Sequence, residues 1–439
     1  MNNYLIKNGR IIDPSQNLDM MADLRIADGL IVEIAPGLNV IEGEEVFDAA
    51  GCWVTPGLID IHVHLREPGY EYKEDIASGR AAAAAGGFTA VCCMANTHPV
   101  ADNAAVIQYI NQKAAGEGVR VYPIGAATVG LKGQQLSEMG EMSQAGCVAF
   151  SDDGKPIAEG RMMRLAMQYA GQFGRKIISH AEDLNLVDNG LMNEGETSSF
   201  LGLRGNTRAA EEAFIARDLA LAETLGLPVH IAHVSTRGSV DLIRFYKGKG
   251  VQATAETAPH YLVGTEKLCA AYDGNARVNP PLRTPADCEA LIQGLCDGTI
   301  DCIASDHAPH HRDEKLCEFE LAASGISGLE TSFAIVNTLF SDKGPFAEDG
   351  GFGSGDKLRF AEQTRIVEWM SINPARVLGL PGGSLRVGEP ADISVLDPDF
   401  EWVIEPERFV SKGKNTPFGG RKVRGKAKCV FVNGRFIKG

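Results

Sequence analysis

His62-Val63-His64 places two imidazoles two residues apart at the end of the apolar run 58–64. Residues i and i+2 of a strand face the same side, so the two rings are presented together. Similar endings recur along the chain. His180 closes the run 176–181, His233 closes 228–234, Asp306 follows 300–305, and Asp152 and Asp153 follow 147–151. Imidazole nitrogens and carboxylate oxygens are ligands for zinc-type ions. A lone histidine at a strand end is more often a satisfied polar side chain than a ligand. Ligand-type residues at the ends of five separate apolar runs are much harder to assign to that ordinary role. The other histidines break the pattern: His98, His260 and His311 read as loop residues, and His230 sits within a run, facing helices or core.

Such side chains act together only if the elements carrying them converge. Eight apolar runs (58–64, 88–95, 119–126, 147–151, 176–181, 228–234, 251–256 and 300–305) alternate with helix candidates such as 77–85, 104–115, 162–173, 208–225 and 239–247. This βα alternation predicts an α/β fold with a parallel sheet. Eight units in series predict a (β/α)8 TIM barrel, which gathers its strand ends at one face.

Both chain ends carry β-rich runs interrupted by Asn-Gly, at Asn8-Gly9 and Asn433-Gly434, a strong hairpin signal. Their likeness predicts a small β-sandwich assembled from 1–55 and 380–439, with the catalytic barrel inserted as 56–379. The Gly- and Asp-rich stretch 341–357 reads as a surface excursion. Against 57 Asp and Glu the chain has 42 Lys and Arg, a formal charge of −15. So acidic a surface argues against nucleic acid and anionic membrane partners. The basic run Arg421, Lys422, Arg424, Lys426 and Lys428 reads as a solvated loop and edge. No run has the length of a signal peptide core or a membrane span. The 10 cysteines form no CxxC pair, which fits a reducing cytoplasm.

Longer motifs carry a resemblance. His62-Val63-His64-Leu65-Arg66-Glu67-Pro68-Gly69 resembles the metal-binding signature of the amidohydrolase superfamily, in its cyclic amidohydrolase branch. Met94-Ala95-Asn96-Thr97, Asn279-Pro280-Pro281-Leu282-Arg283 and Ser305-Asp306-His307-Ala308-Pro309-His310 resemble further motifs of class I dihydroorotases. Gly325-Ile326-Ser327-Gly328-Leu329-Glu330-Thr331 and Gly388-Glu389-Pro390-Ala391-Asp392 are similar to other stretches of that family, so the match spans nearly the whole chain. The combination is specific where any single motif is not.

The resemblance implies zinc, two ions per chain, one on His62, His64 and Asp306 and the second on His180 and His233. Many relatives bridge the metals with a carboxylated lysine at the end of the fourth strand. Here Phe150-Ser151-Asp152-Asp153 resembles the subgroup with a bridging aspartate. Asp153 is the better placed, Asp152 reads as a supporting acid, and Lys155 stays open as the alternative bridge. The implied reaction is the reversible cyclisation of N-carbamoyl-L-aspartate to L-dihydroorotate, with Asp306 moving the proton. Arg66, Asn96 and His310 would bind the substrate carboxylate, and Asn279 the ring. The resemblance also implies a homo-oligomer, and leaves association with aspartate transcarbamoylase open. The rivals are a hydantoinase or allantoinase, a non-catalytic dihydroorotase-like partner of that transcarbamoylase, and a structural zinc protein. Arg66 with Asp153 argues against the first, the four retained histidines against the second, and the lack of cysteine at the strand ends against the third.

Overall fold

The protein is described from a computed structural model over residues 3–341 and 362–438. The expected excursion at 341–357 lies, apart from Ser341, outside the described residues. The fold is mixed α/β. One eight-stranded sheet draws its strands from both ends of the chain, between Asn3 and Pro56 and between Ile393 and Lys438. Its core joins Ile6, Ile11, Leu24 and Val54 to Ile393 and Phe431.

The two Asn-Gly pairs do different jobs. Asn433 and Gly434 both have positive φ, 50° and 72°, and turn strand Lys422–Val432 into strand Arg435–Lys438, as a tight hairpin requires. Asn8, with φ 60°, sits within the single strand Asn3–Asp13, at a break in its register with Leu18–Ala27. Asp23 Oδ1 accepts from the Asn8 amide at 2.8 Å, and Asp48 Oδ1 from its side chain at 3.0 Å. The irregularity moves the strand from pairing with Glu44–Asp48 to pairing with Trp53 and Val54. The basic run is likewise not a loop. From Lys422 onward it lies on a strand, but residues 422–427 pair on one side only, with Ile393–Val403, because Arg435–Lys438 reaches only Cys429–Val432. The expected edge is therefore there; Glu401 faces Lys422 and Arg424, and Asp397 faces Lys428.

Two parallel ladders occupy the middle of the chain. Leu58–Val63, Phe88–Cys93 and Arg120–Pro123 form one. Ile177–Ser179, Val229–Ile231, Ala253–Thr257 and Cys302–Ile303 form the other. Phe150 makes parallel bridges to Gly125 and to Ile177, and Val63 makes one to His307. The fourth apolar run therefore contributes a bridging residue and not a full strand. Both faces of these strands are buried. Val91 and Cys93 join a cluster that includes the helices, whereas Ala90 and Cys92 join a second cluster with Ile61, Ile124, Ile178 and Cys302. Burial on both faces is the expected state of parallel strands flanked by helices.

Local chemistry sets the helix limits. Asp75 and Ser78 form a capping box on helix Ile76–Gly86, and Thr284 and Asp287 do the same for Pro285–Asp297, satisfying amides that the first turn leaves open. The first helix ends at Gly87 with φ 92°, the left-handed stop that glycine accepts without strain.

Candidate active site

The run ends meet. Asp153 Oδ1 lies 3.4 Å from His62 Nε2, 3.3 Å from His180 Nδ1 and 3.4 Å from His233 Nε2, while Oδ2 lies 3.5 Å from His64 Nε2. Asp306 Oδ1 stands 3.6 Å from His62 Nε2 and 3.4 Å from His64 Nε2. His180 Nδ1 and His233 Nε2 are 2.7 Å apart. Two groups with metal-ligand spacing result, His62/His64/Asp153 and Asp153/His180/His233, and Asp153 belongs to both. Lys155 is exposed, beyond Gly154, and its amide donates to Asp152 O in a turn.

The donor set fits a cation. His62 Nε2, Asp153 Oδ1 and His180 Nε2 are buried and make no hydrogen bond. Glu256 Oε1 takes the Nδ1 proton of His62 at 2.6 Å, and Asn96 Oδ1 that of His64 at 2.9 Å. Each Nε2 lone pair is thereby turned inward, as outer partners of metal-bound histidine do. Burial disfavours charge on His180, yet Asp153 and Glu182 outweigh it and push its pKa up to about 10. Burial likewise opposes charge on His62, but Asp153 and Glu256 hold its pKa well above the ordinary value. Burial also raises Glu256, though His62 and His230 win and hold it at about 2. The carboxylates thus favour positive charge at His62 and His180, whereas burial, with Arg66 adding to it, keeps the pKa of His64 below its ordinary value.

A cavity of about 390 Å³ opens over this cluster, and every predicted site residue apart from His62 lines it. Arg66 Nε donates to Pro309 O at 3.2 Å, and its Nη2 lies 3.3 Å from His310 Nε2. Burial, with Arg66 and Lys73 adding to it, pushes His310 down to about 3, so this imidazole is neutral. Its Nε2 is 2.9 Å from Ser324 O. Asn279 donates to Glu182 Oε2 at 3.1 Å. Asp152 stands behind, accepting from the Ala127 and Thr128 amides at 2.8 and 2.9 Å.

Residues beyond the predicted set also shape the site. Glu182 lines the cavity, 3.5 Å from His180 Nε2. Its place two residues after His180 repeats the His62/His64 spacing and was a usable signal. Glu256 ends the run 251–256, so the strand-end rule that picked the histidines also points to it. His230 faces inward and shares Glu256, at 3.1 Å. Arg277 lines the cavity from a loop and Asn206 from the short strand Gly205–Asn206, and neither carries a sequence signal. Among the other histidines, His260 is buried on the short helix Pro259–Val263, and His98 and His311 are exposed.

Fold and site together define a metal-dependent cyclic amidohydrolase, and comparison with known proteins agrees. A family model described as Dihydro-orotase-like matches residues 51–239. The chain is 51% identical over 436 residues to the dihydroorotase of Geotalea daltonii, covering 99% of each, and 50% identical over 432 residues to that of Syntrophotalea carbinolica, covering 98% of each. Its structure is similar to the L-hydantoinase (dihydropyrimidinase) from Arthrobacter aurescens, with a TM-score of 0.85 at 25% identity, covering 100% of this chain and 96% of that one. The chain belongs to the dihydroorotase family.

Proposed function

We propose that this chain is a dihydroorotase of pyrimidine synthesis, interconverting N-carbamoyl-L-aspartate and L-dihydroorotate. The observation that carries the reading is Asp153, on whose carboxylate both histidine pairs converge at the floor of a cavity walled by Arg66. Two zinc ions would be held by His62, His64 and Asp306 and by His180 and His233, with Asp153 shared between them. When bound, such ions lower the pKa of water from 15.7 towards about 7 and polarise a carbonyl.

The chain's own residues supply the rest. Burial raises the Asp306 carboxyl, but His64, His62 and His233 hold it far below the usual carboxylate range. It is therefore ionised and can accept a proton from the water that attacks the ring amide carbon. As the carbon–nitrogen bond breaks, Asp306 returns that proton to the leaving nitrogen, and ring closure runs the same path backwards. Arg66 offers a planar fork to the substrate carboxylate, beside Asn96 and His310. Asn279 would meet the ring, its amide oriented by Glu182.

The parallel ladders, the Phe150 bridges and the Val63–His307 bridge support a closed (β/α)8 barrel over 56–379. The shared sheet supports a β-sandwich unit from 1–55 and 380–439. A cytoplasmic location is proposed on the cysteine usage, all 10 thiols being free; no helix among the described residues is long and apolar enough to cross a membrane. One experiment tests the function: metal content of the purified protein measured beside turnover of dihydroorotate, hydantoin and allantoin. Turnover of hydantoin or allantoin without dihydroorotate would replace this reading with that of another cyclic amidohydrolase.

A further inference from the structure

Behind the cavity wall lies a buried lysine that the chemistry above does not use. Lys315 is 3% exposed and follows the short helix Arg312–Glu314. Its Nζ donates to three backbone carbonyls, Ala323 at 2.7 Å, Gly325 at 3.0 Å and Arg277 at 3.1 Å. An ammonium has three hydrogens, so this set uses all of them. A buried charge is costly unless its donors are satisfied, which requires the three carbonyls to stay where they are.

Those carbonyls belong to two separate stretches, and both reach the cavity. Ser324, between two of them, meets His310 Nε2 through its carbonyl at 2.9 Å. A Cβ on Gly325 would stand 2.6 Å from Ala308 O and 3.0 Å from His310 Nε2, so backbone and imidazole are in close contact there. On the other side, Asn279 lies two residues beyond Arg277, whose carbonyl also accepts from the Gly325 amide at 3.0 Å.

We propose that Lys315 is a positioning residue for substrate recognition, tying 277–279 to 323–325 and so fixing Asn279 and His310 against the bound substrate. The assignment rests on the dihydroorotase reading of the cavity. Lys315 touches none of the proposed metal ligands, so its effect falls on substrate binding and not on metal binding. The tie is sensitive to pH. Burial pushes the amine down to about 7, with Arg277 acting the same way and Asp273, Cys317 and Glu314 opposing. Burial keeps His310 neutral, and Lys315 and Lys73, the latter paired to Glu314 at 2.8 Å, add to it. A neutral amine has two hydrogens for three carbonyls and turns a lone pair on one of them. The tie therefore loosens as pH rises through about 7.

The test uses metal-loaded wild type, Lys315→Met and Lys315→Arg. In Lys315→Met the KM for dihydroorotate should rise roughly tenfold, the scale of losing hydrogen bonds from a charged donor, while kcat and metal content hold. The dissociation constant of orotate, a non-reacting carboxylate of the same shape, should rise above neutrality in the wild type. In Lys315→Arg, which stays charged, that alkaline limb should vanish, whereas limbs arising at the metal are common to both proteins. A folded Lys315→Met with wild-type KM overturns the assignment, as does the same limb in wild type and Lys315→Arg. If Lys315→Met does not fold, the comparison of wild type with Lys315→Arg decides. Wild type that does not turn over dihydroorotate sinks the functional reading itself; wild-type turnover with unaltered variants sinks only the role of Lys315.

Discussion

Replacing Asp153 by alanine removes the one carboxylate common to both ligand groups. Each of its oxygens is within 3.5 Å of a ring nitrogen, and four histidines share it. Residues that only orient metal ligands typically cost 10–100-fold in affinity when removed. A side chain that itself joins both groups should cost at least the upper end of that range, on the order of 100-fold, or about 3 kcal/mol. The loss should fall on both sites, because the remaining sets reduce to histidine pairs with Asp306 beside one of them. Competition against a graded metal buffer, followed by elemental analysis, gives the stoichiometry and the affinity of each site. Lys155→Ala is the control. Its side chain is exposed, so metal content and affinity should match the wild type, and added bicarbonate should not rescue the aspartate variant. If Lys155→Ala alone drops a metal while Asp153→Ala keeps both, the bridge is a lysine carbamate and the carboxylate geometry has been misread.

Arg66→Met should lower kcat/KM for dihydroorotate on the order of a hundredfold, the loss of a charge-assisted pair to a carboxylate, with metal content unchanged; near-normal kcat/KM would place the carboxylate elsewhere. Asp306→Asn should nearly abolish turnover at matched metal occupancy, because an amide cannot carry the proton; a fully active variant removes Asp306 from the chemistry. Glu256→Gln weakens the 2.6 Å hold on His62 Nδ1 and should reduce metal affinity roughly tenfold or more. Unchanged retention in the same metal buffer would show that Glu256 serves the core alone.

How far the sequence reaches depends on whether a feature is set by local or by distant chemistry. Residue types at run ends pointed to His62, His64, His180, His233, Asp306 and the pair Asp152 and Asp153, of which the family resemblance selected Asp153, because parallel strands deliver their ends to one place whatever lies between them. The outer partners are another matter. Glu256 is 194 positions from His62, and Glu182 is 97 from Asn279, so only the assembled fold pairs them. The bulge at Asn8 had the same obstacle, since its dipeptide suits a turn equally well and Asp23 and Asp48 decide the outcome. Asn415 is a sharper case. The sequence places it in the terminal unit, yet its side chain donates to Ala308 and Gly325 and accepts from the His310 amide at 2.9 Å.

The backbone at the site is the feature furthest from sequence reasoning. Arg66, His233 and Asp306 have φ values of 62°, 34° and 46°, a region that side chains with a Cβ seldom enter. Sequence alone would put glycine or asparagine in such positions. The arginine proposed to clamp the substrate, a metal-type histidine and the aspartate proposed as acid–base group occupy them instead, each lining the same cavity. Conformations of this kind cost on the order of 1–3 kcal/mol each and persist only where the surroundings fix them. Here the surroundings include Pro309 O on Arg66 and the ring contact of His180 on His233. Each of the three residues lies two or three positions beyond the end of a parallel strand and lines the cavity. An extended conformation at the same residue would instead continue the alternation of side chains between the two faces of the strand. The strain thus goes with the direction in which these three groups point, which residue identity by itself does not encode.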